Sequence, residues 1–392
     1  MNTVGKRHWL RTLLILFGIA FLVTELLLAY LMARPTDWDG VGIWGALALM
    51  FPVQLLTICF VTALLTLIAY RLRLMLGVVL YGTATGIAFL LAAAPTAFSY
   101  IYAKQQSVPV SLAHTFTLEL NDRKGHQTAT ETYLVLADDT SLQLDIWTPA
   151  DTSSRHPAVI RVHGGAWTHG ERHEMSRWSE WLRDQGYAVF DISYRLAPPA
   201  RWQDAVGDVK AAMGWINTQA ERLNVDPDRL CLMGYSAGGH LSMLAAYTPD
   251  HPNLPASAYP TTMRPRCVVN LYGISDLTLL YEHSRSPAYI QAAMRSYIGG
   301  TPDEYPERYS LVSPVHHVNT NSPPTLTMLG LSDRIVPPEQ ALALDQALRK
   351  HNVEHELWLI PAAEHGFDFN WNGLPTQIAK QRIKGFLQHW TE

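Results

Sequence analysis

The chain has 392 residues, of which 48% are hydrophobic, and its formal net charge is −4 at pH 7. This charge and the lack of a basic stripe argue against nucleic acid as a partner. Three cysteines are too few for a disulfide framework, and Cys231 and Cys267 lie in apolar strand-like runs where we expect buried free thiols. The first hundred residues are almost free of charge and the rest are polar, which indicates a membrane segment followed by one large domain.

Three apolar runs lie in this first part, at residues 12–33, 41–70 and 74–102. Each is longer than the roughly 20 residues that cross a bilayer. We therefore predict a membrane segment at residues 1–103 with three transmembrane helices in contact with lipid. A cleaved signal peptide is the alternative for the first run, but that run exceeds the ~7 to 15 apolar residues of a signal core, and "YLMARP" is a poor cleavage site.

Basic residues near the helix ends predict the orientation, because they resist translocation. Five fall on the side of the N-terminus, namely Lys6, Arg7, Arg11, Arg71 and Arg73. Two fall on the other side, namely Arg34 and Lys104. We therefore expect an integral protein of the cell membrane with a cytoplasmic N-terminus and an extracytoplasmic domain after Tyr102.

Glu25 is the one charged residue inside the first apolar run. An ionisable group at such a depth is either functional or turned toward neighbouring helices, in this case near Gln54. Since no second charge in the apolar runs could form a relay, we favour a residue that faces the helix bundle.

Residues 104–392 alternate short β-branched runs with helical ones, a pattern typical of an α/β fold with a mostly parallel sheet flanked by helices. We predict three strands first, the last two forming an antiparallel hairpin: "HTFTLEL", "ETYLVLA" and "SLQLDIW". Core strands follow: "PAVIRVHGG", "YAVFDISYR", "RLCLMGYS", "RCVVNLYG", "PPTLTMLG" and "HELWLIP". Residues 275–318 have no strand signal, and we expect a helical, cap-like insertion beside a site.

The stretch "GYSAG" at residues 234–238 matches the pattern G-x-S-x-G between an apolar strand and a helical run. In this setting a serine can lie exposed on a strained turn, so Ser236 is a candidate nucleophile. Alternatively, Ser236 is only a small residue at a crowded turn. A nucleophilic serine needs a base to remove its proton and donors for the oxyanion, which must come from elsewhere.

The stretch "HGGAW" after an early strand could supply these donors. Consecutive small residues can direct backbone N–H groups toward one point, so we predict an oxyanion hole formed by Gly164, Gly165 and Ala166 together with Ala237. His163 precedes the glycines, and we interpret it as an organiser of this loop rather than as a base.

The candidates for the catalytic acid and base each follow one of two later strands. "LGLSDRIVP" places Asp333 and "IPAAEHGF" places His365 just after a strand, on the sheet edge where Ser236 is expected. The order Ser236, Asp333, His365 is that of α/β-hydrolases, and we predict these three as the catalytic residues. Asp276 in "YGISD" is the alternative acid.

A zinc site is the competing chemistry, because four potential ligands lie within twelve residues: His163, His169, His173 and Glu174. Two of the histidines could share a helix face. However, the intervening "GER" begins with a glycine, and its carboxylate is not set as a general base between the two histidines. We therefore predict neither a metal nor another cofactor.

At this point the chain resembles a known family. In order, "HGGAW", "DISYRLAPPARWQDAVGDVKAAMGWI", "DPDRLCLMGYSAGGHLSML", "SPVHHV", "SDRIVP" and "EHGF" are similar to the hormone-sensitive-lipase-like branch of α/β-hydrolase esterases and to the neighbouring acetyl-xylan and feruloyl esterase-like group. The resemblance covers about residues 130–390. It implies the same catalytic triad and oxyanion hole. Ala166 stands where the lipase branch usually has a third glycine, which favours the esterase neighbours.

The resulting prediction is a membrane-anchored serine carboxylesterase that hydrolyses short-chain acyl esters through an acyl-enzyme. Its substrate would be a small-molecule or carbohydrate-linked ester. An amidase or an acyltransferase could use the same triad, and a non-catalytic scaffold domain is a further alternative. The sequence carries no indication of the oligomeric state.

Overall fold

The computed structural model describes residues 3–34, 40–122, 125–151, 153–260 and 263–392. Its N-terminal part is helical, with α1 (Thr3–Ala33), α2 (Gly42–Met50), a 3-10 turn (Pro52–Leu55), α3 (Leu56–Arg71) and α4 (Met75–Gln105). Three helical stretches are long and apolar enough to cross a membrane: His8–Ala33, Pro52–Arg71 and Met75–Gln105.

The second apolar run differs from the prediction of one helix over residues 41–70. It is divided between α2 and α3, and the break lies at Phe51, whose φ of −124° and ψ of 51° leave the helical region. Pro52 follows, and proline disfavours a helical conformation in the residue before it. As a result, α2 is a separate short helix at one end of the bundle.

In the bundle, α4 packs against both α1 and α3. The Tyr81 hydroxyl donates to the Leu14 carbonyl at 2.7 Å, and the hydroxyls of Thr85 and Thr62 lie 3.0 Å apart. Glu25 is 2% exposed, so it faces the protein interior as expected. Within the described residues, neither its carboxylate oxygens nor Gln54 Oε1 has a hydrogen-bond partner.

The second part contains one sheet of eight strands in the order β1-β2-β4-β3-β5-β6-β7-β8. The strands are β1 (Ala129–Val135), β2 (Ser141–Trp147), β3 (His156–Val162), β4 (Ala188–Ile192), β5 (Val225–Tyr235), β6 (Cys267–Leu271), β7 (Thr325–Gly330) and β8 (His355–Ile360). The first two form the predicted antiparallel hairpin, and β2 also pairs antiparallel with β4. The other neighbours are parallel.

Helices connect and cover these strands: α5 (Leu112–Thr115), α6 (Arg177–Asp184), α7 (Asp204–Thr218), α8 (Ala237–Tyr247), α9 (Leu277–His283), α10 (Pro287–Ile298), α11 (Pro306–Leu311), α12 (Glu339–Lys350) and α13 (Leu374–Thr391). The central strands β5 and β6 pack against both α8 and α13. Between β6 and β7, where the sequence lacks a strand signal, the structure contains α9, α10, α11 and a 3-10 turn.

Two predictions for this half were wrong. "HTFTLEL" is not a strand: its start lies in α5, and the exposed side chains of Phe116 and Leu118 have no sheet to pack against. Cys231 and Cys267 are not free thiols. They are opposite each other on the parallel strands β5 and β6 with their Cα atoms 4.7 Å apart, and they form a disulfide. The local apolar pattern indicates burial but cannot indicate which strands become neighbours.

The two halves are in direct contact. Helix α4 continues to Gln105, past the predicted boundary at residue 103, and Ala103 belongs to the core around the sheet. The ring of Tyr102 meets Trp358 on the edge strand β8 with centroids 6.2 Å apart. The Ser99 hydroxyl donates to the Pro361 carbonyl at 3.0 Å. These contacts fix the end of α4 beside the loop that carries His365.

Candidate active site

Ser236 occupies a sharp turn between β5 and α8. Its φ of 54° and ψ of −124° lie outside the common regions, a strain typical of a serine held at a functional turn. A Cβ on Gly238 would lie 2.0 Å from the Val162 carbonyl oxygen, and one on Gly234 would lie 2.2 Å from the Gly238 oxygen. The turn is therefore too close to itself and to β3 for side chains at these two positions, which accounts for the glycines around Ser236.

Three side chains from three strand ends form one hydrogen-bonded chain. His365 Nε2 lies 3.1 Å from Ser236 Oγ, and His365 Nδ1 lies 2.8 Å from Asp333 Oδ2. Asp333 is fully buried, and its Oδ1 accepts from the N–H groups of Ile335 and Val336 at 2.9 and 2.8 Å. An ionised Asp333 thus favours the tautomer with the proton on Nδ1, which leaves Nε2 to accept the serine proton.

Asp276, the alternative acid, has a different position. It is the N-cap of α9, and its side chain accepts from the Leu279 N–H at 3.0 Å. This is the ordinary function of an aspartate before a helix. The structure therefore brings Asp333, and not Asp276, to His365.

The loop after β3 borders Ser236. Gly165, Ala166 and Trp167 all have positive φ angles, of 104°, 48° and 60°. The Gly165 carbonyl accepts from Thr168 and His169 and so closes the loop. Among the described residues, the N–H groups of Gly165 and Ala166 donate to no other protein group. Ala237 is the first residue of α8, where a backbone N–H has no acceptor within the helix.

His163 lies behind this loop. Its ring is buried and stacked on Tyr194 with centroids 4.3 Å apart, and its Nδ1 lies 2.8 Å from the Gly164 oxygen. Burial lowers the pKa of His163 to about 4, so a neutral ring donates from Nδ1 to that carbonyl. This geometry agrees with an organising role.

The histidines of the alternative zinc site do not converge on one point in the structure. His169 Nδ1 contacts the Thr168 hydroxyl at 3.1 Å, whereas His173 Nε2 contacts Glu171 at 2.7 Å. Within the described ranges, no three His, Cys, Asp or Glu side chains are grouped so that they could hold a metal ion.

A buried ion pair that no sequence motif indicates lies directly behind Asp333 and His365. Arg334 Nε donates to Glu364 Oε2 at 2.7 Å, and both side chains are fully buried. Glu364 Oε1 also accepts from the N–H groups of Arg334 and His365 at 2.9 and 3.1 Å. Burial raises the pKa of Glu364 to about 7, and Arg334 opposes this shift. Because each residue is the chain neighbour of a triad member, the pair joins the acid loop to the base loop.

A second network fixes the loop after β3, which is the predicted oxyanion loop. Trp167 Nε1 donates to His240 Nδ1 at 3.0 Å, and His240 Nε2 lies 2.7 Å from the Val312 carbonyl oxygen. Burial lowers the pKa of His240 to about 4, so the neutral ring can accept at Nδ1 and donate at Nε2. The network connects the loop after β3, through α8, to the insertion between β6 and β7. Both residues occur within the motifs that suggested the site, but nothing in the sequence indicated that they meet.

These groups open onto a cavity of about 350 Å³. Its floor includes Gly164, Gly165, Ala166, Ser236 and His365. The insertion contributes Tyr289 and Ile290, and α2 contributes Leu47 and Met50. An activated hydroxyl beside backbone donors in an apolar cavity is an arrangement suited to acyl transfer.

Comparison with known proteins agrees with this geometry. The BD-FAE family model matches residues 144–348, which is more than half of the chain and includes Ser236 and Asp333. The chain belongs to the BD-FAE family. Its sheet and flanking helices form an α/β-hydrolase fold, as the sequence predicts.

Individual known proteins are moderately similar to this chain. Esterase LipC of Mycobacterium tuberculosis is 33% identical over 60% of this chain and 59% of its own length. An acetylxylan esterase of Xylanibacter ruminicola is 28% identical over 62% of this chain and 47% of its own. The crystal structure of an acetyl ester-xyloside bifunctional hydrolase from Caldicellulosiruptor lactoaceticus is 25% identical, with a TM-score of 0.57 over 67% of this chain and 96% of that chain. The chain spans about half the length of the curated relatives it matches.

Proposed function

We propose that this BD-FAE protein is a membrane-anchored carboxylesterase that cleaves short-chain acyl esters through an acyl-enzyme on Ser236. The hydrogen-bonded chain from Ser236 through His365 to Asp333 carries the proposal, because it opens onto a cavity bordered by backbone donors. The names of the relatives, which are esterases, support the same reaction.

In the first half of the reaction, Ser236 Oγ attacks the ester carbonyl carbon while His365 Nε2 takes the hydroxyl proton. The carbonyl oxygen becomes negative, and the N–H groups of Gly165, Ala166 and Ala237 are the candidate donors to it. Asp333 stabilises the resulting imidazolium. His365 then protonates the departing alcohol oxygen as the carbon–oxygen bond breaks, and the acyl group remains on Ser236.

In the second half, water takes the position of the alcohol. His365 accepts a proton from the water as its oxygen attacks the acyl carbon, and then returns that proton to Ser236 as the acid leaves. The same base serves both steps, because the water occupies the position that the alcohol has left.

The size of the acyl group is part of the proposal. Two of the similar proteins are named for acetyl esters, which supports a short acyl group in this chain as well. The floor of the cavity beside Ser236 is formed by a backbone loop and the His365 ring, with Trp167 next to them. A short acyl group fits such a confined space better than a long chain.

The proposed location is the outer side of the cell membrane. Three apolar helices are long enough to span a bilayer, and the excess of basic residues beside the N-terminus supports a cytoplasmic N-terminus. The Cys231–Cys267 disulfide supports an extracytoplasmic hydrolase half, because disulfides persist in oxidising compartments. Alkaline phosphatase fused after Glu392 should be active if the C-terminus is external. An inactive fusion together with an active cytoplasmic reporter at the same position would contradict this orientation.

The activity can be tested with the full chain in detergent on 4-nitrophenyl esters of increasing acyl length. We expect the highest kcat/KM for acetate or butyrate, and about a millionfold lower kcat for Ser236→Ala. Ser242→Ala is a matched control, since this buried serine is also on α8 and its hydroxyl has no partner in the described structure. It should retain activity. A Ser236→Ala protein as active as the control would contradict the proposal.

Two further substrates separate esterase activity from its alternatives. With 4-nitroacetanilide, the amide matched to 4-nitrophenyl acetate, an esterase should be far slower than with the ester. With added sugars, free acetate should remain the main product. A faster amide reaction would indicate an amidase, and acetylated sugar would indicate an acyltransferase.

A further inference from the structure

The membrane segment forms part of the wall of the active-site cavity. Leu47 and Met50 on α2 line the same cavity as Ser236 and His365. These two side chains come from the connection between the first two membrane-spanning stretches, almost two hundred residues before the nucleophile. The esterase motifs therefore do not contain the whole binding site.

Several contacts hold α2 in this position. Arg334 Nη1 donates to the Gly42 carbonyl at 2.9 Å, at the start of α2, and its Nη2 donates to the Leu31 carbonyl at 3.2 Å. At the other end, Asn370 Nδ2 donates to the Met50 carbonyl at 2.8 Å. One partner of α2, Arg334, directly follows Asp333 in the chain, and the other, Asn370, lies five residues after His365. Any movement of α2 would disturb the loops of the triad.

The same contacts place the cavity beside the ends of α1 and α4, two of the helices that are candidate membrane spans. Leu31 lies in the last turn of α1, and Ser99, which is bonded to Pro361, lies about 9 Å from the end of α4 at 1.5 Å per residue. Both spans end on the same side. The hydrolase half therefore rests with the loops of Asp333 and His365 against the ends of two spans, rather than at the end of a linker.

The side chains of the cavity wall are mostly apolar. Leu47 and Met50 are joined there by Ile274, Ile335 and Phe369. A polysaccharide would need many hydrogen-bonding groups, whereas an apolar group gains about 25 cal/mol for each Å² of surface that it removes from water. The part of the substrate beside α2 is thus expected to be hydrocarbon.

We propose that α2 binds the alcohol portion of an amphiphilic ester, and that this ester reaches Ser236 from the membrane. The substrate is a short acyl ester of a lipid-soluble alcohol. This inference rests on the proposed esterase function and adds its substrate class. Hydrolysis breaks the bond between the acyl carbon and the alcohol oxygen; water supplies the hydroxyl of the acid, and the alcohol, with a proton from His365, returns to the bilayer.

The test compares two acetates that differ only in the alcohol, hexadecyl acetate and ethyl acetate, with the full chain in phosphatidylcholine vesicles and acetate release as the readout. Leu47→Trp narrows the wall, and Val41→Trp places the same side chain at an exposed position, where valine is 64% exposed. We expect the ratio of kcat/KM for hexadecyl over ethyl acetate to fall at least about tenfold in Leu47→Trp, the range for a poorly fitted apolar pocket. The Val41→Trp ratio should stay within about twofold of wild type.

An unchanged ratio in Leu47→Trp would overturn the inference. If that protein does not fold, Leu47→Asn keeps the branched shape of the side chain while making it polar, and it should also lower the ratio. Adding phosphatidylcholine at constant hexadecyl acetate should slow the wild-type reaction, because the ester is diluted in the bilayer; an unchanged rate would contradict entry from the membrane. Acetylated xylan as a better substrate than hexadecyl acetate would likewise overturn it. If the protein hydrolysed neither hexadecyl acetate nor ethyl acetate, the result would instead contradict the esterase function itself.

Discussion

The two halves of this molecule use apolar residues in opposite ways. In the apolar N-terminal helices, large side chains such as Phe17, Phe60 and Phe89 point outward and are exposed, whereas in the hydrolase half comparable side chains fill the core around the sheet. Apart from Glu25, the buried charged side chains of the described residues lie in the second half, and they include Asp333 and the Arg334–Glu364 pair. Substitutions should therefore have their largest effects where buried polar groups of the hydrolase half border the cavity or the N-terminal helices.

The largest effect is expected at Asp333, which lies wholly within the hydrolase half. Asp333→Asn keeps the shape of the side chain but removes the charge that fixes the proton on His365 Nδ1. By the behaviour of other serine hydrolases, we expect kcat to fall about 10⁴-fold. Steady-state ester hydrolysis measures this loss. Asp276→Asn is the matched control, because that carboxylate caps α9, and a comparable loss there would contradict our choice of acid.

A substitution of Arg334 tests the junction between the halves, because this side chain pairs with Glu364 and donates hydrogen bonds to the carbonyl groups of Leu31 and Gly42. Arg334→Met leaves the Glu364 charge buried without its partner, and we expect about 3 to 5 kcal/mol less free energy of unfolding. Urea unfolding in detergent, followed by tryptophan fluorescence, measures this difference.

Arg349→Met removes an ion pair in which the arginine is 69% exposed, and it should change that free energy far less than Arg334→Met does, because water screens the pair. Equal free energies of unfolding for Arg334→Met and Arg349→Met would contradict our expectation that the buried ion pair at the junction matters more than an exposed one.

Gly165 tests the oxyanion loop. A Cβ there would lie 1.9 Å from the His169 oxygen, and the φ of 104° is unfavourable for alanine. Gly165→Ala should displace the loop and lower kcat by about 10² to 10³, the usual cost of losing an oxyanion donor. Gly186→Ala has a similar φ of 96° but no atom within 4 Å, so it should lose stability without losing activity. Equal activity of the two variants would contradict the assignment of this loop.

The smallest predicted effect is a pH dependence from His240. Its pKa is lowered to about 4 in the folded protein, so between pH 4 and 6.5 the unfolded chain binds more protons. The contribution of His240 to the free energy of unfolding is fully present above pH 6.5 and is lost as the pH falls toward 4. From pH 7 to pH 5 the loss should be about 2 kcal/mol, and His240→Asn should remove that part. Identical changes in unfolding free energy in both proteins would exclude His240 as the cause.

The residues with local signals were predictable from sequence. Ser236 lies in a pattern that needs close backbone packing, and Asp333 and His365 follow strands whose ends must meet at one sheet edge. Arg334 and Glu364 are the sequence neighbours of Asp333 and His365, but only the fold reveals that these opposite charges meet. The position of α2 and the Cys231–Cys267 disulfide were not predictable, because they depend on which distant segments become neighbours. The apolar pattern of residues 41–70 likewise indicates burial in lipid or protein without distinguishing the two.

The central claim is that Ser236 carries the acyl group during turnover. The direct measurement is rapid quenching of the full chain with 4-nitrophenyl butyrate, followed by mass spectrometry of the peptide that contains Ser236. We expect a butyryl group on Ser236 in the wild-type protein and no butyryl group on the corresponding peptide of Ser236→Ala. Continued ester hydrolysis by wild type with the acyl group on another residue, or by Ser236→Ala at the wild-type rate, would contradict it.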